Sequence, residues 1–113
     1  QDAYSRSNSV LEKAKQEKVG ASFKLAPAGV SEIEPMICRF PEVVERAGRE
    51  YAPNYLVTYL TELARVFNAY YAKVQIVDSS DKYSPYKVAL TSAFGQVMAN
   101  GLEILGIGRL EKM

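Results

Sequence analysis

After Pro53, apolar side chains return every third or fourth residue, at Leu56, Leu60, Leu63, Phe67 and then Tyr70 or Tyr71, as far as Val74. Such spacing lays oily groups along one stripe of a helix, whereas a half-buried strand needs strict alternation. No segment of the 113 residues keeps a two-residue alternation; Val74 to Val77 alone is strand-like, and it is too short to build a sheet. The sequence therefore predicts an all-α protein.

The remaining segments extend that reading. Between Ala3 and Lys18, the residues Ala3, Ser7, Val10, Leu11 and Ala14 share one helical face, while Arg6, Lys13 and Glu17 are expected outside and Gly20 is placed to end the helix. Ala21 to Val30 contains Pro27 and Gly29 and reads as a connection, with Phe23 and Leu25 packed onto the core. Ser31 with Glu34 offers a capping box for a short helix through Met36, Ile37 and Phe40. Pro41 disfavours helical backbone at Phe40, so a further helix is expected to begin there, with Glu42 in its first turn and Val43, Val44 and Ala47 on its apolar face. Asp78 to Tyr83 is polar and turn-rich. Ser84 as cap and Pro85 at the first helical position then open a last long helix through Leu90, Val97, Leu102 and Leu105, which Gly106 stops. The expected architecture is one helical bundle of about four to six helices over residues 1–113, without internal repeats.

Composition narrows the chemistry. Histidine is absent and Cys38 is the single cysteine, which removes Ser/Cys–His catalysis, an internal disulfide and the commonest metal-ligand sets. The pairs Glu32/Glu34 and Glu42/Glu45 fall near helix starts, where acidic groups favour the dipole, and are read as structural rather than as an acid/base couple. Gly106-Ile107-Gly108 follows a helix instead of opening one, so it is a helix stop and not a phosphate loop. Gly95 and Gly101 lie inside the last helix, where close helix packing explains them. No catalytic residue, metal or cofactor is expected for this chain.

Fourteen Lys and Arg against thirteen Asp and Glu leave a net charge of +1, so any contact with RNA must be local and its salt dependence shallow. No apolar run approaches membrane-spanning length and no signal peptide opens the chain; with its lone thiol the protein reads as cytoplasmic. Gln1 in place of Met, with helical pattern from Ala3, reads as a fragment of a longer protein. Eight Tyr and four Phe, several near basic residues, suit unpaired bases, which stack on aromatic rings while Arg and Lys hold phosphates. Tyr55, Tyr59 and Tyr70 are read as packing residues. Tyr4 with Arg6, and Arg109 with Lys112, sit near the chain ends and are equally open to a solvated and an RNA-binding reading.

From Phe40-Pro41-Glu42-Val43-Val44 onward, through Pro53-Asn54-Tyr55-Leu56, Tyr59-Leu60, Leu63-Ala64, Phe67 and Tyr70-Tyr71, the order and spacing resemble a known family. They resemble the C-terminal anticodon-binding domain, of DALR type, of arginyl-tRNA synthetases. Ala89-Leu90, Ala93, Val97, Gly101-Leu102, Leu105-Gly106-Ile107 and the closing Glu111-Lys112-Met113 agree with it. Ala3-Tyr4-Ser5-Arg6 lies where many relatives have Tyr-Ala-His-Ala-Arg: Arg6 matches, Asp2 replaces the tyrosine and Tyr4 the histidine. Lys87-Val88 stands where relatives often carry Arg-Leu.

The resemblance implies a class I synthetase that joins arginine to its tRNA with ATP and Mg, although the His-Ile-Gly-His and Lys-Met-Ser-Lys-Ser signatures are absent here. This chain would bind the anticodon loop of arginine tRNA beside the catalytic domain of the same protein, a monomer, and catalyse nothing alone. The implied RNA-binding residues are Tyr4, Arg6, Arg109, Lys112 and Met113, with Lys87 as a phosphate contact. Two alternatives stay open: the equivalent domain of a cysteinyl- or glycyl-tRNA synthetase, and a helical protein-interaction module.

Overall fold

The stripe that begins after Pro53 forms the scaffold of the molecule. The computed structural model describes residues 2–29 and 31–106 and holds five helices among them: α1 (Asp2–Gln16), α2 (Ile33–Cys38), α3 (Phe40–Arg49), α4 (Asn54–Lys73) and α5 (Ser84–Leu105). The described residues contain no strand, and Val74 to Val77 is extended chain with Ile76 and Val77 buried. The all-α expectation holds.

α4 buries Leu56, Leu60, Leu63 and Phe67, as its period requires, and adds Tyr59 and Val66. α5 meets it through Phe94, whose ring lies parallel to that of Phe67 with centroids 4.2 Å apart. Ala3, Ile33, Val43, Val97 and Met98 complete this cluster, so every helix contributes to it. Each fully buried Phe or Leu contributes about 1.5–3 kcal/mol, making this layer the main source of stability. A second cluster of Val10, Ala14, Ile76, Val77 and Val88 joins α1 to the start of α5. Where α1 crosses α5, a Cβ on Gly95 would lie 3.4 Å from Ser7 Oγ, and where α4 meets α5 one on Gly101 would lie 2.7 Å from Leu60 Cδ1. The two glycines are therefore there for close packing. Ser7, Ser84 and Thr91 are fully buried, and each hydroxyl donates to a backbone carbonyl.

Several local expectations need correction. α1 ends at Gln16, and Lys18, not Gly20, takes the left-handed turn at φ 60°; Val19 N–H donates to Ala14 O and Lys18 N–H to Lys15 O, which satisfies the last carbonyls two residues early. Ser31 and Glu34 form no capping box, because Ser31 Oγ accepts from Ile33 N–H while Glu34 accepts instead from the Tyr86 hydroxyl across the fold. α3 starts one residue before Pro41, with Arg39 alone separating it from α2. Ser84 lies inside α5, where its hydroxyl donates to Ile76 O and accepts from Asp78 N–H, pinning the 76–78 segment; Asp81 Oδ1 accepts from Tyr83 N–H at the helix entry. Gly106 does end α5, at φ 81°.

α5 has the expected span, and an 18-residue window within it reaches a mean hydropathy of 1.2, enough by length and composition to cross a bilayer. Half of that window is buried within the fold, against α1, α2 and α4. It is the central helix of the core.

Candidate nucleic-acid interface

The two tyrosines that close the α4 stripe point different ways, because neighbouring residues on a helix are about 100° apart. Tyr70 turns toward the interior and is half-buried, which pushes its phenol up to about 12. Tyr71 stays 41% exposed, with its ring tilted against Phe67 at 6.3 Å between centroids. Since Phe67 stacks on Phe94, the exposed ring is backed by the rigid centre of the core.

Arg6 comes to this ring from α1. It was expected to stand in solvent, yet its guanidinium lies over Tyr71, 5.4 Å from the centroid, where a cation is attracted to the aromatic face. Nη1 donates to Asn68 Oδ1 at 2.9 Å and Nη2 pairs with Asp2 Oδ2 at 3.3 Å. These partners fix the plane of the fork while leaving its side chain 41% exposed. Beside Tyr71 a groove of about 350 Å³ runs between α1 and the extended 74–77 segment, lined by Ser9, Val10, Lys13, Gln75, Ile76 and Val77. The N–H groups of Gln75, Ile76 and Val77 donate to no group among the described residues. A flat cation, an exposed ring, an amide side chain and an exposed lysine thus border one groove.

The other sequence candidates fall in different places. Tyr4 is half-buried and packs against the main core cluster. Lys87 does not join this face: it sits at the start of α5 with its ammonium 2.6 Å from Asp81 Oδ2, both side chains three-quarters or more buried. That ammonium, followed by Tyr83 N–H, holds the Asp81 carboxyl below its ordinary value. Arg109, Lys112 and Met113 lie outside the described residues. The packing reading of the tyrosines agrees with the geometry. Tyr59 is buried and donates to Met36 O at 2.5 Å; Tyr55 donates to Glu50 at 3.0 Å beneath the Arg46 guanidinium, 4.2 Å from its centroid.

Tyr71, Asn68 and Gln75 are the residues that the sequence did not single out. A signal for Tyr71 existed in the Tyr70-Tyr71 pair, since one stripe cannot bury both. Nothing local marks Asn68 or Gln75, because their role depends on where α1 docks. Among the described residues no three His, Cys, Asp or Glu side chains gather into a metal-binding group, and Cys38 is exposed.

Comparison with known proteins identifies the family. No solved structure matches the chain. Arginine–tRNA ligases do: that of Streptococcus suis is 39% identical over 114 residues, that of Thermococcus kodakarensis 33% over 122, and that of Pyrobaculum islandicum 34% over 116. Each alignment covers all of this chain but only 18–20% of the relative, so the chain spans about a fifth of the length of the relatives it matches. The model of the DALR anticodon binding domain matches residues 1–113. Covered from end to end by that model and by these relatives, the chain belongs to the DALR anticodon binding domain family.

Proposed function

We propose that this chain is the anticodon-recognition part of an arginine–tRNA ligase, and that the α1–α4 face is where it holds RNA. The observation that carries the reading is the Arg6 and Tyr71 pair at the lip of the groove. An anticodon loop offers splayed bases, which stack on aromatic rings and guanidinium planes and are read along their edges by amides and backbone groups. Gln75 and the 74–77 backbone stand in place for edge contacts, Lys13 for a phosphate. Tyr4, Arg109, Lys112 and Met113 extend the same recognition from the two chain ends. Lys87 is at most a peripheral contact, since Asp81 already holds it.

In this reading the intact ligase uses ATP and Mg to attach arginine to tRNA, in the cytoplasm and as a monomer. This chain needs no cofactor of its own and contributes affinity and selectivity. The test is titration of an arginine tRNA anticodon stem-loop, with an unrelated stem-loop as control. Arg6→Ala and Tyr71→Ala are each expected to weaken the cognate complex by roughly 5- to 150-fold, the equivalent of losing a stack of about 1–3 kcal/mol. Unchanged affinity in both variants, with helicity intact, would rule out this face.

A further inference from the structure

Among the exposed aromatic side chains, Tyr51 stands apart. Phe23 and Leu25, expected on the core, are 54% and 51% exposed, yet Phe23 meets the Tyr86 ring edge-on at 5.6 Å, and Tyr71 leans on Phe67. Tyr51, in the turn between α3 and α4, is 93% exposed, and its side chain makes no ring contact, hydrogen bond or ion pair among the described residues. Its backbone sits at φ 51°, where a side chain is disfavoured and glycine is free. The end of α3 imposes that conformation, because Tyr51 N–H donates to Gly48 O and Ala52 N–H to Ala47 O. Nothing inside the fold offsets the strain of placing a tyrosine there, which points to a role outside it.

Its neighbours define that role. Glu50, next before it in the chain, accepts from the Tyr55 hydroxyl at 3.0 Å and pairs with Arg46 Nε at 3.4 Å. These contacts hold the Arg46 guanidinium on the Tyr55 ring, 4.2 Å from its centroid, while the Arg46 side chain stays 56% exposed. One plane of the fork faces the ring, and the other is open to a second flat group. Asn54, at the start of α4, carries an exposed amide with no hydrogen bond among the described residues. Both arginines of α3 already have carboxylates, Arg46 with Glu50 and Arg49 with Glu45 at 3.7 Å. The corner therefore offers flat π surfaces and an amide without net charge, which suits a single base and not a run of phosphates. Bases stack on rings and guanidinium planes, and an amide reads a base edge.

We infer that Tyr51, with the Arg46 and Tyr55 pair and Asn54, forms a second stacking site that takes one unpaired base of the bound tRNA from outside the anticodon stem-loop. This rests on the function proposed above. Tyr55 and Tyr71 stand near opposite ends of α4, about 24 Å apart along its axis and roughly 160° apart around it. An anticodon loop seated on Arg6 and Tyr71 therefore leaves the Tyr51 corner open, and the base that reaches it belongs to another part of the same RNA.

The experiment titrates the intact ligase with a full-length arginine tRNA transcript and, separately, with its isolated anticodon stem-loop. Tyr51→Gly is expected to weaken the transcript complex by roughly 5- to 150-fold, the range for one base–aromatic stack, and to leave the stem-loop complex unchanged. Tyr51→Phe keeps the ring and should bind the transcript as the wild type does. Because the glycine also relaxes the backbone, its helicity and urea midpoint separate lost binding from lost folding. Chemical footprinting of the transcript should show one unpaired base outside the anticodon arm that the wild type protects and Tyr51→Gly does not. Unchanged transcript affinity in Tyr51→Gly overturns the inference and would leave the corner to an aromatic group of a protein. An equal loss for transcript and stem-loop overturns it too, since the ring would then serve the anticodon face. Failure of the wild-type ligase to bind the stem-loop would instead refute the proposed function, a readout separate from the effect of Tyr51.

Discussion

Lys18 and Tyr51 both occupy the left-handed region, at φ 60° and 51°. Each closes a helix in the same way: Ala52 N–H donates to Ala47 O and Tyr51 N–H to Gly48 O, repeating at α3 the pattern at the end of α1. A residue bearing a Cβ pays roughly 1–2 kcal/mol for this backbone, and neither exposed side chain recovers it by burial. Lys18→Gly and Tyr51→Gly are therefore each expected to stabilise the fold by about 1 kcal/mol, read as a higher urea midpoint at unchanged slope. Gly20→Ala is the control. Its φ is not positive and no atom lies within 4 Å of the added Cβ, so it should be neutral or mildly stabilising. A clear loss there would mean that Gly20 ends the helix after all.

Helices as elements were legible because their evidence is periodic: the buried residues Leu56, Leu60, Leu63 and Phe67 of α4, and Ala3, Ser7, Val10 and Ala14 of α1, are those the spacing selects. Their ends were less so. Ser84 and Ser31 are good cap residues, but tertiary partners, the Ile76 carbonyl and the displaced Glu34, decided what they do. Glycines inside helices could be recognised as packing devices, and here two opposing effects decide their worth. Gly48→Ala meets open space within α3 and should gain up to about 1 kcal/mol of helix propensity. Gly101→Ala gains the same amount but drives a methyl to 2.7 and 2.8 Å from the Leu60 methyls and 3.2 Å from Cγ. Leu60 is 4% exposed and has little room to yield, so overpacking of about 1–3 kcal/mol should win. Thermal melts of the two variants should shift in opposite directions.

At the scale of the molecule, pattern revealed the family and the bundle but not the faces, because the Arg6 and Tyr71 pairing arises only when α1 and α4 meet. The tyrosines register that assembly together. Burial of Tyr59 and Tyr70, and for Tyr86 first the hydrogen bond to Glu34 and then burial, push all three phenols from an ordinary 10 up to about 12. A raised phenol favours the neutral form in the fold. Its stabilisation is complete below pH 10, where the unfolded chain is also neutral, and is lost as pH climbs toward 12 and only the unfolded chain ionises. Stability should therefore fall steeply across pH 10–12, with tyrosinate absorbance appearing in step with loss of helicity. Tyr59→Phe separates this from general alkaline denaturation. At pH 7 it should cost about 1 kcal/mol, the hydrogen bond to Met36 O, yet above pH 10 the deficit should shrink because the variant has one fewer phenol to ionise. Parallel stability curves for wild type and variant would mean that Tyr59 ionises as readily in the fold as outside it.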